Sequence, residues 1–218
     1  MPWHQPSLQD VLPGKKPAPP ARNDAPATPV EVYDFFAGAG GFSTGAVQAG
    51  CRVAWACDND PLALKTHADN HPSTEHRLAE LPLPRSEWPF PTDGRPFHAH
   101  FSPPCQKFSD VNQTHRVDGD RRVAETLVAW SLETALTCGA QTWSFEQVPN
   151  AAVIALVEAA KRRHPGRVAY ARVDFSQLGV PQTRTRLIAG SPALVAQLLR
   201  RLDRTNRTTV RSAIAKPR

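Results

Sequence analysis

Two side chains in this sequence stand where chemistry is done. Cys105 lies within Phe101-Ser102-Pro103-Pro104-Cys105-Gln106-Lys107-Phe108-Ser109-Asp110, and Glu146 closes Thr142-Trp143-Ser144-Phe145-Glu146. The apolar run Phe97 to Phe101 breaks off in Ser-Pro-Pro. Proline cannot continue a central strand, and it pushes the residue before it toward extended geometry. A strand is therefore expected to stop there and present Cys105 at its tip, in a loop running on through Gln106 to Asp120. A thiol in a polar, partly open loop is placed like a nucleophile. The same residue type is also a small hydrophobe of buried cores, and the local pattern leaves both roles open.

A second constellation lies upstream. Val30 to Phe36 reads as a strand, Ala37-Gly38-Ala39-Gly40-Gly41 as a tight turn, and Phe42 to Gln48 as a helix closed by Gly50. A strand, a glycine turn and a helix make a cradle for a nucleotide-type cofactor, because glycine lets the backbone approach a ligand closely. The dinucleotide spacing G-x-G-x-x-G fails, since Gly38 and Gly40 are followed by Ser43. Arg52 to Cys57 reads as a second strand ending at Asp58, about 20 positions after the glycine turn, where an acid grips a ribose diol. Asp58 is equally placed to N-cap the next helix, which carries Pro61 in its first turn and runs to about Asn70.

The elements that must position these groups alternate. Between His71 and Arg95 the chain is proline-rich, with one short edge element near Arg77 to Leu81. Arg122 to Cys138 carries Val123, Leu127, Val128, Leu132, Ala135 and Leu136 at helical spacing with one buried face. Gly139 ends it, a strand leads to Glu146, Pro149 stops that strand, and Ala151 to Arg163 reads as another helix. Val168 to Phe175 and Arg186 to Ala189 are strand-like. This alternation specifies an α/β fold, a mostly parallel sheet with helices on both faces. Ligands of such sheets sit beyond the carboxyl ends of the strands, where the glycine turn, Asp58, Cys105 and Glu146 all fall.

Composition narrows the class. The 218 residues suit one α/β domain with ends, and the net charge of +6 favours a polyanionic partner. No apolar run approaches the roughly 20 residues of a membrane span, and no signal pattern opens the chain. The four cysteines contain no C-x-x-C pair, so neither a metal site nor a disulfide framework is indicated, and a reduced, cytoplasmic protein is expected. Residues 1–29 are proline-rich and read as a disordered leader, with a partner-binding peptide as the alternative. A catalytic domain is expected over 30–195, and a basic tail over 196–218 in which Arg200, Arg201, Arg204, Arg207, Arg211, Lys216 and Arg218 face only Asp203.

Four segments together resemble the cytosine-C5 DNA methyltransferases: Asp34-Phe35-Phe36-Ala37-Gly38-Ala39-Gly40-Gly41-Phe42, Ser102-Pro103-Pro104-Cys105-Gln106, Phe145-Glu146-Gln147-Val148-Pro149, and Leu178-Gly179-Val180-Pro181-Gln182-Thr183-Arg184-Thr185-Arg186. The resemblance implies a Rossmann-like, S-adenosylmethionine-dependent methyltransferase acting on a flipped cytosine of double-stranded DNA. It assigns Cys105 as nucleophile, Glu146 to N3 and the exocyclic amine, Arg186 to O2, and Arg184 in support. It assigns the cofactor to Phe36, Gly38, Gly40, Asp58, Asn59, Glu80 and Leu127, and substrate contacts to Pro104, Gln106, Ser109 and Gln182. The Gln106–Asp120 loop, with Arg116, Arg121 and Arg122, is the natural lid over the flipped base; those arginines also fit an ordinary solvated face.

Two departures stand out. Gln147 occupies the place where the family usually has asparagine, and its extra methylene is expected to disturb the loop that orients Glu146. The chain also stops about 30 residues after Arg186, without the family's target-recognition region or its later motifs. Thr208 to Ile214 resembles the linker that opens that region. Three readings follow: a DNA cytosine-C5 methyltransferase, either a minimal enzyme or a catalytic subunit completed by a second chain; a non-catalytic DNA-binding or regulatory remnant; or an RNA cytosine-C5 methyltransferase.

Overall fold

The computed structural model describes residues 29–105, 118–202 and 209–211, with side chains of the second stretch described from 122 onward. Seven strands form one sheet in the order β3-β2-β1-β4-β5-β7-β6. β1 (Glu31–Phe35), β2 (Arg52–Asp58), β3 (Glu75–Leu78), β4 (Phe97–Phe101) and β5 (Thr142–Gln147) run parallel. β7 (Thr185–Gly190) is inserted antiparallel between β5 and β6 (Ala169–Asp174). The helices among the described residues are α1 (Gly41–Gln48), α2 (Pro61–Asn70), α3 (Asp118–Thr137), α4 (Ala151–Arg163) and α5 (Pro192–Leu202).

The central strands are buried on both faces: every residue of β1 and β4 is buried, the polar Glu31, Asp34, His98 and His100 included. On one face Phe35, Phe101, Trp55 and Phe145 pack under α3 and α4 through Val128, Leu132, Leu136, Val153 and Val157. Phe35 and Phe101 stack at 4.7 Å, and full burial of each ring is worth about 2–3 kcal/mol. On the other face Val32, Val53 and Ala46 lie under α1, and Ala171, Val173 and Val195 lie under α5.

Three boundaries differ from the sequence reading. The edge strand is Glu75–Leu78, two residues earlier than Arg77, and α3 begins at Asp118 rather than Arg122. α5 was not anticipated. It crosses position 195, where a basic tail was expected to begin, and Leu198 and Leu202 pack with Val195 beside β6. Pro192 at its first turn and the 3–4 spacing of its apolar residues are the helix signals that its arginines mask.

β7 lies so close over β5 that a Cβ on Gly190 would stand 2.6 Å from the Trp143 carbonyl oxygen. That carbonyl also accepts from the Ser191 N–H, and Ser191 Oγ accepts from the Trp143 N–H. Neither backbone can retreat without breaking this pairing. Gly190→Ala is therefore expected to destabilise the fold by about 1–3 kcal/mol, readable as a lower urea midpoint at unchanged slope.

Candidate active site

The carboxyl ends of β1, β2, β4 and β5 form one rim, and the glycine turn is built into it. Phe36 leaves β1 in the left-handed region (φ 62°), and Gly38 and Gly40 follow at φ 52° and 93°. A non-glycine residue held there costs free energy that the surroundings must offset. The turn is pinned to β2: the Gly38 N–H donates to Asp58 Oδ2 at 2.8 Å, and the Ala37 N–H to the Cys57 carbonyl at 3.0 Å. Asp60, not Asp58, caps α2, accepting from the Leu62 and Ala63 amides. Asp58 is thus freed from capping and instead braces the turn; its second oxygen accepts from the Asp60 N–H.

Past β3 the Ala79 N–H donates to the Asp58 carbonyl, and the chain then enters a cavity of about 490 Å³ lined by Glu80, Leu81, Pro82, Arg122, Val123, Thr126 and Leu127. It brings together Glu80 and Leu127, which the sequence could relate only through the resemblance. The apolar Leu81, Pro82, Val123 and Leu127, with the carboxylate of Glu80 among the polar lining residues, suit a planar heterocycle bearing an amine. The left-handed turn, whose Gly38 leaves open space where a side chain would stand, suits a close backbone approach to the rest of such a ligand. Asn59 is exposed at the end of β2.

Beneath the turn runs a polar chain that sequence reasoning missed. Ser43 donates to Asp34 Oδ2 at 2.7 Å, His67 Nε2 lies 3.0 Å from Ser43 Oγ, and His76 Nε2 lies 2.8 Å from His67 Nδ1. Burial pushes Asp34 up to about 7, partly offset by the Ser43 bond. Burial likewise pulls His67 and His98 down to about 4, and holds His100 well below the ordinary histidine value. The available signal was His67 on α2 and His71 one turn on, at the helix C-cap, with His98 and His100 alternating on β4.

These groups set opposite pH slopes. The raised Asp34 makes the folded state bind more protons between about pH 4 and 7, so its contribution fades as pH rises through 7. The lowered histidines make the unfolded chain bind more protons between about pH 4 and 6.5, so their contribution is lost as pH falls through that window. For His98 alone, 9% exposed, this is on the order of 3 kcal/mol. The lowered histidines (His67, His76, His98 and His100) outweigh one carboxyl, so stability is expected to fall between pH 6.5 and 4. Urea midpoints across this range check the sign, and His98→Gln should flatten the slope.

Ser102, directly after Phe101, ties the next loop to β1: its N–H donates to the Phe35 carbonyl and its hydroxyl to the Phe36 carbonyl, each at 3.2 Å. Pro103 is buried, Pro104 exposed, and Cys105 half-buried. On the other side, the Gln147 side chain, fully buried, donates to the Pro103 carbonyl at 2.8 Å. The Cys105 loop and the Glu146 strand end are therefore neighbours on one rim. Glu146 is half-buried, and Arg186 Nε stands 2.6 Å from its Oε1, off the line of an aligned hydrogen bond. Arg186 reaches the rim because β7 runs antiparallel to β5, pairing Glu146 with Ile188 and Gln147 with Leu187.

Arg184 and Gln182 are exposed just before β7, and Asp174 Oδ1 accepts from the Arg184 N–H at 3.4 Å. Gln106 and Ser109 lie outside the described residues, as do the lid of Gln106 to Asp120 in its first part, the side chains of Arg116 and Arg121, residues 1–28, and most of the tail. Arg122 is described and lines the cavity. Among the described residues, no group of three His, Cys, Asp or Glu side chains is arranged to hold a metal ion. No helix among them is long and apolar enough to cross a membrane.

Comparison with known proteins bears on the family and the fold. Residues 30–134 match the family described as C-5 cytosine-specific DNA methylase. The type II methyltransferase M.HgiDI of Herpetosiphon aurantiacus is 29% identical over 197 residues, covering 84% of this chain and 60% of that protein. M.HgiGI of the same organism is 36% identical over 90 residues, 38% of this chain and 66% of that one. Among solved structures, a candidate prophage-encoded DNA modification methyltransferase from E. coli superposes with a TM-score of 0.65 at 24% identity, over 86% of this chain and 55% of that one. A DNMT2 variant from Spodoptera frugiperda superposes at 0.52 and 18% identity, over 74% and 49% of the two chains. These likenesses establish a Rossmann-like methyltransferase fold. The chain spans about 60% of the length of M.HgiDI.

Proposed function

Because this chain, through residues 30–134, belongs to the C-5 cytosine-specific DNA methylase family, we propose that it carries the catalytic part of a DNA cytosine-C5 methyltransferase. The observation that supports this most is the meeting, on one rim, of the Cys105 loop with the Glu146–Arg186 pair and the glycine turn. S-adenosylmethionine, when bound, supplies an electrophilic methyl group on a sulfonium. Phe36, Gly38, Gly40, Asp58, Asn59, Glu80 and Leu127 would hold it.

The chain's own residues supply the rest. Cytosine C5 is a poor nucleophile until a thiolate adds at C6. Cys105 forms that C–S bond, and the ring's electron pair moves toward C5 and N3. Glu146 donates a proton at N3, neutralising the charge that develops there, while Arg186 faces O2. After methylation, a solvent water takes the C5 proton, N3 returns its proton to Glu146, the C5–C6 double bond re-forms, and the Cys105 thiolate leaves. Pro104, Gln106, Ser109, Gln182 and Arg184 complete the contacts to the extruded base and its phosphate. The target-reading part of the proposed enzyme is assigned to sequence beyond these residues, in the same or a second polypeptide.

The test uses a base that cannot finish the cycle. Incubation with S-adenosylmethionine and DNA containing 5-fluorocytosine, alone and with the product of any neighbouring reading frame, should trap a protein–DNA adduct at Cys105, because fluorine cannot leave C5 as a proton does. An adduct with RNA only would reassign the substrate. No adduct in any combination would mark a non-catalytic DNA-binding remnant.

A further inference from the structure

Gln147 is the residue at which the chain departs from its family's usual asparagine, and the structure gives that departure a geometry. Its side chain is fully buried at the end of β5, directly after Glu146. The amide nitrogen donates to the Pro103 carbonyl at 2.8 Å and approaches the Pro104 carbonyl at 3.4 Å. The amide oxygen accepts from the Val148 N–H at 2.8 Å. The orientation is forced: proline carbonyls only accept and a backbone N–H only donates, so a flipped amide would leave all three groups unmatched.

Both prolines immediately precede Cys105, and neither can offer an N–H of its own to tie the loop down. The opposite flank of the loop is held by Ser102 against Phe35 and Phe36. Gln147 thus supplies the described side-chain bonds that fasten the Cys105 loop to the strand end bearing Glu146.

We infer that Gln147 is a positioning residue: its buried amide fixes the distance between the Cys105 loop and Glu146, and its length is matched to that task. This reverses the expectation that the extra methylene disturbs the loop. A shorter asparagine would fall about 1.5 Å short of the proline carbonyls and leave buried polar groups unpaired. The inference rests on the proposed chemistry for its purpose, but not for its geometry, so the test reads the two separately.

The four cysteines provide the measure. Wild type, Gln147→Asn and Gln147→Leu are exposed to iodoacetamide, and alkylation of each cysteine is followed by peptide mass spectrometry. Cys51 and Cys138 are half-buried and Cys57 is buried, so they report any general loosening. Cys105 alkylation is expected to change by roughly tenfold in both variants, the scale of one lost buried hydrogen bond, with the other three cysteines unchanged. An unchanged Cys105 rate overturns the inference. So does a parallel rise at all four sites, which would show a merely structural role; Gln147→Asn, the milder change, guards against a Gln147→Leu chain that simply fails to fold.

The second readout is adduct formation with 5-fluorocytosine DNA. Both variants should form it about 100-fold more slowly, with S-adenosylmethionine affinity within about twofold of wild type. Equal adduct rates in wild type and variants would also overturn the inference. A wild type that never forms the adduct removes the methyltransferase reading, while the alkylation pattern still decides what Gln147 does.

Discussion

Cys105→Ala is expected to lower methylation to background, a loss of roughly 10⁴-fold or more, and to abolish the 5-fluorocytosine adduct. The reason is chemical rather than architectural. Without addition at C6, the C5 carbon has no electron pair to offer the methyl group, and among the described residues no neighbouring group on the rim can replace a thiolate in that step. Glu146 and Arg186 stabilise charge but do not create the carbanion-like centre. The substitution removes one half-buried sulfur from a loop held by Ser102 and Gln147, so fold and cofactor binding should be almost untouched. Calorimetry with S-adenosylmethionine should give an affinity within about twofold of wild type, because the cavity is lined by Glu80, Leu81 and Leu127 rather than by Cys105. Methylation persisting above about one part in a hundred of wild type would rule out the covalent route.

Glu146→Gln is expected to reduce kcat by about 10²–10⁴-fold while leaving DNA affinity nearly intact. The replacement keeps the shape of the side chain and can still donate a hydrogen bond, but it has no proton to transfer to N3. It also removes the anion that Arg186 now faces at 2.6 Å. The side chains of Arg186 and Glu146 are 13% and 25% exposed, so breaking the pair leaves a largely desolvated guanidinium. That cost should appear as a lower thermal midpoint, separable from the kinetic defect. Arg186→Leu provides the complement: it strands the carboxylate instead. A double substitution less unstable than either single one would show that each loss includes the penalty of an unpaired charge. A Glu146→Gln enzyme of near-normal kcat would remove proton donation at N3 from the mechanism.

Much of this molecule is legible in the one-dimensional pattern. β1, β2, β4 and β5 announce themselves as short segments rich in aromatic, β-branched and small residues, and each is stopped by residues with a distinct physical effect. Glycine turns the chain after β1, Asp58 closes β2, and Ser-Pro-Pro and Val-Pro end β4 and β5. The residues at those stops are the candidate site, because a parallel sheet puts the ends of all such strands on one rim. Local chemistry thus determined which elements form and which side chains crown them.

Other features depend on what lies across the sheet rather than along the chain. Nothing local says that β7 enters antiparallel between β5 and β6, yet only that direction brings Arg186, at the start of its strand, to the rim where the parallel strands finish. α5 was hidden because its arginines suggested a solvated tail, whereas the sheet face over β6 recruits Val195, Leu198 and Leu202. Asp58 and Asp60 are equivalent as letters; folding gives one the helix cap and the other the glycine turn. Gln147 seems a disturbance beside Glu146 until Pro103 and Pro104 arrive from 44 and 43 residues away. Sequence alone determined the strands and their tips, since short-range sterics and burial act within a few residues. Strand direction, helix docking and hydrogen-bond partnership were decided by tertiary structure, because they are settled only when distant segments meet.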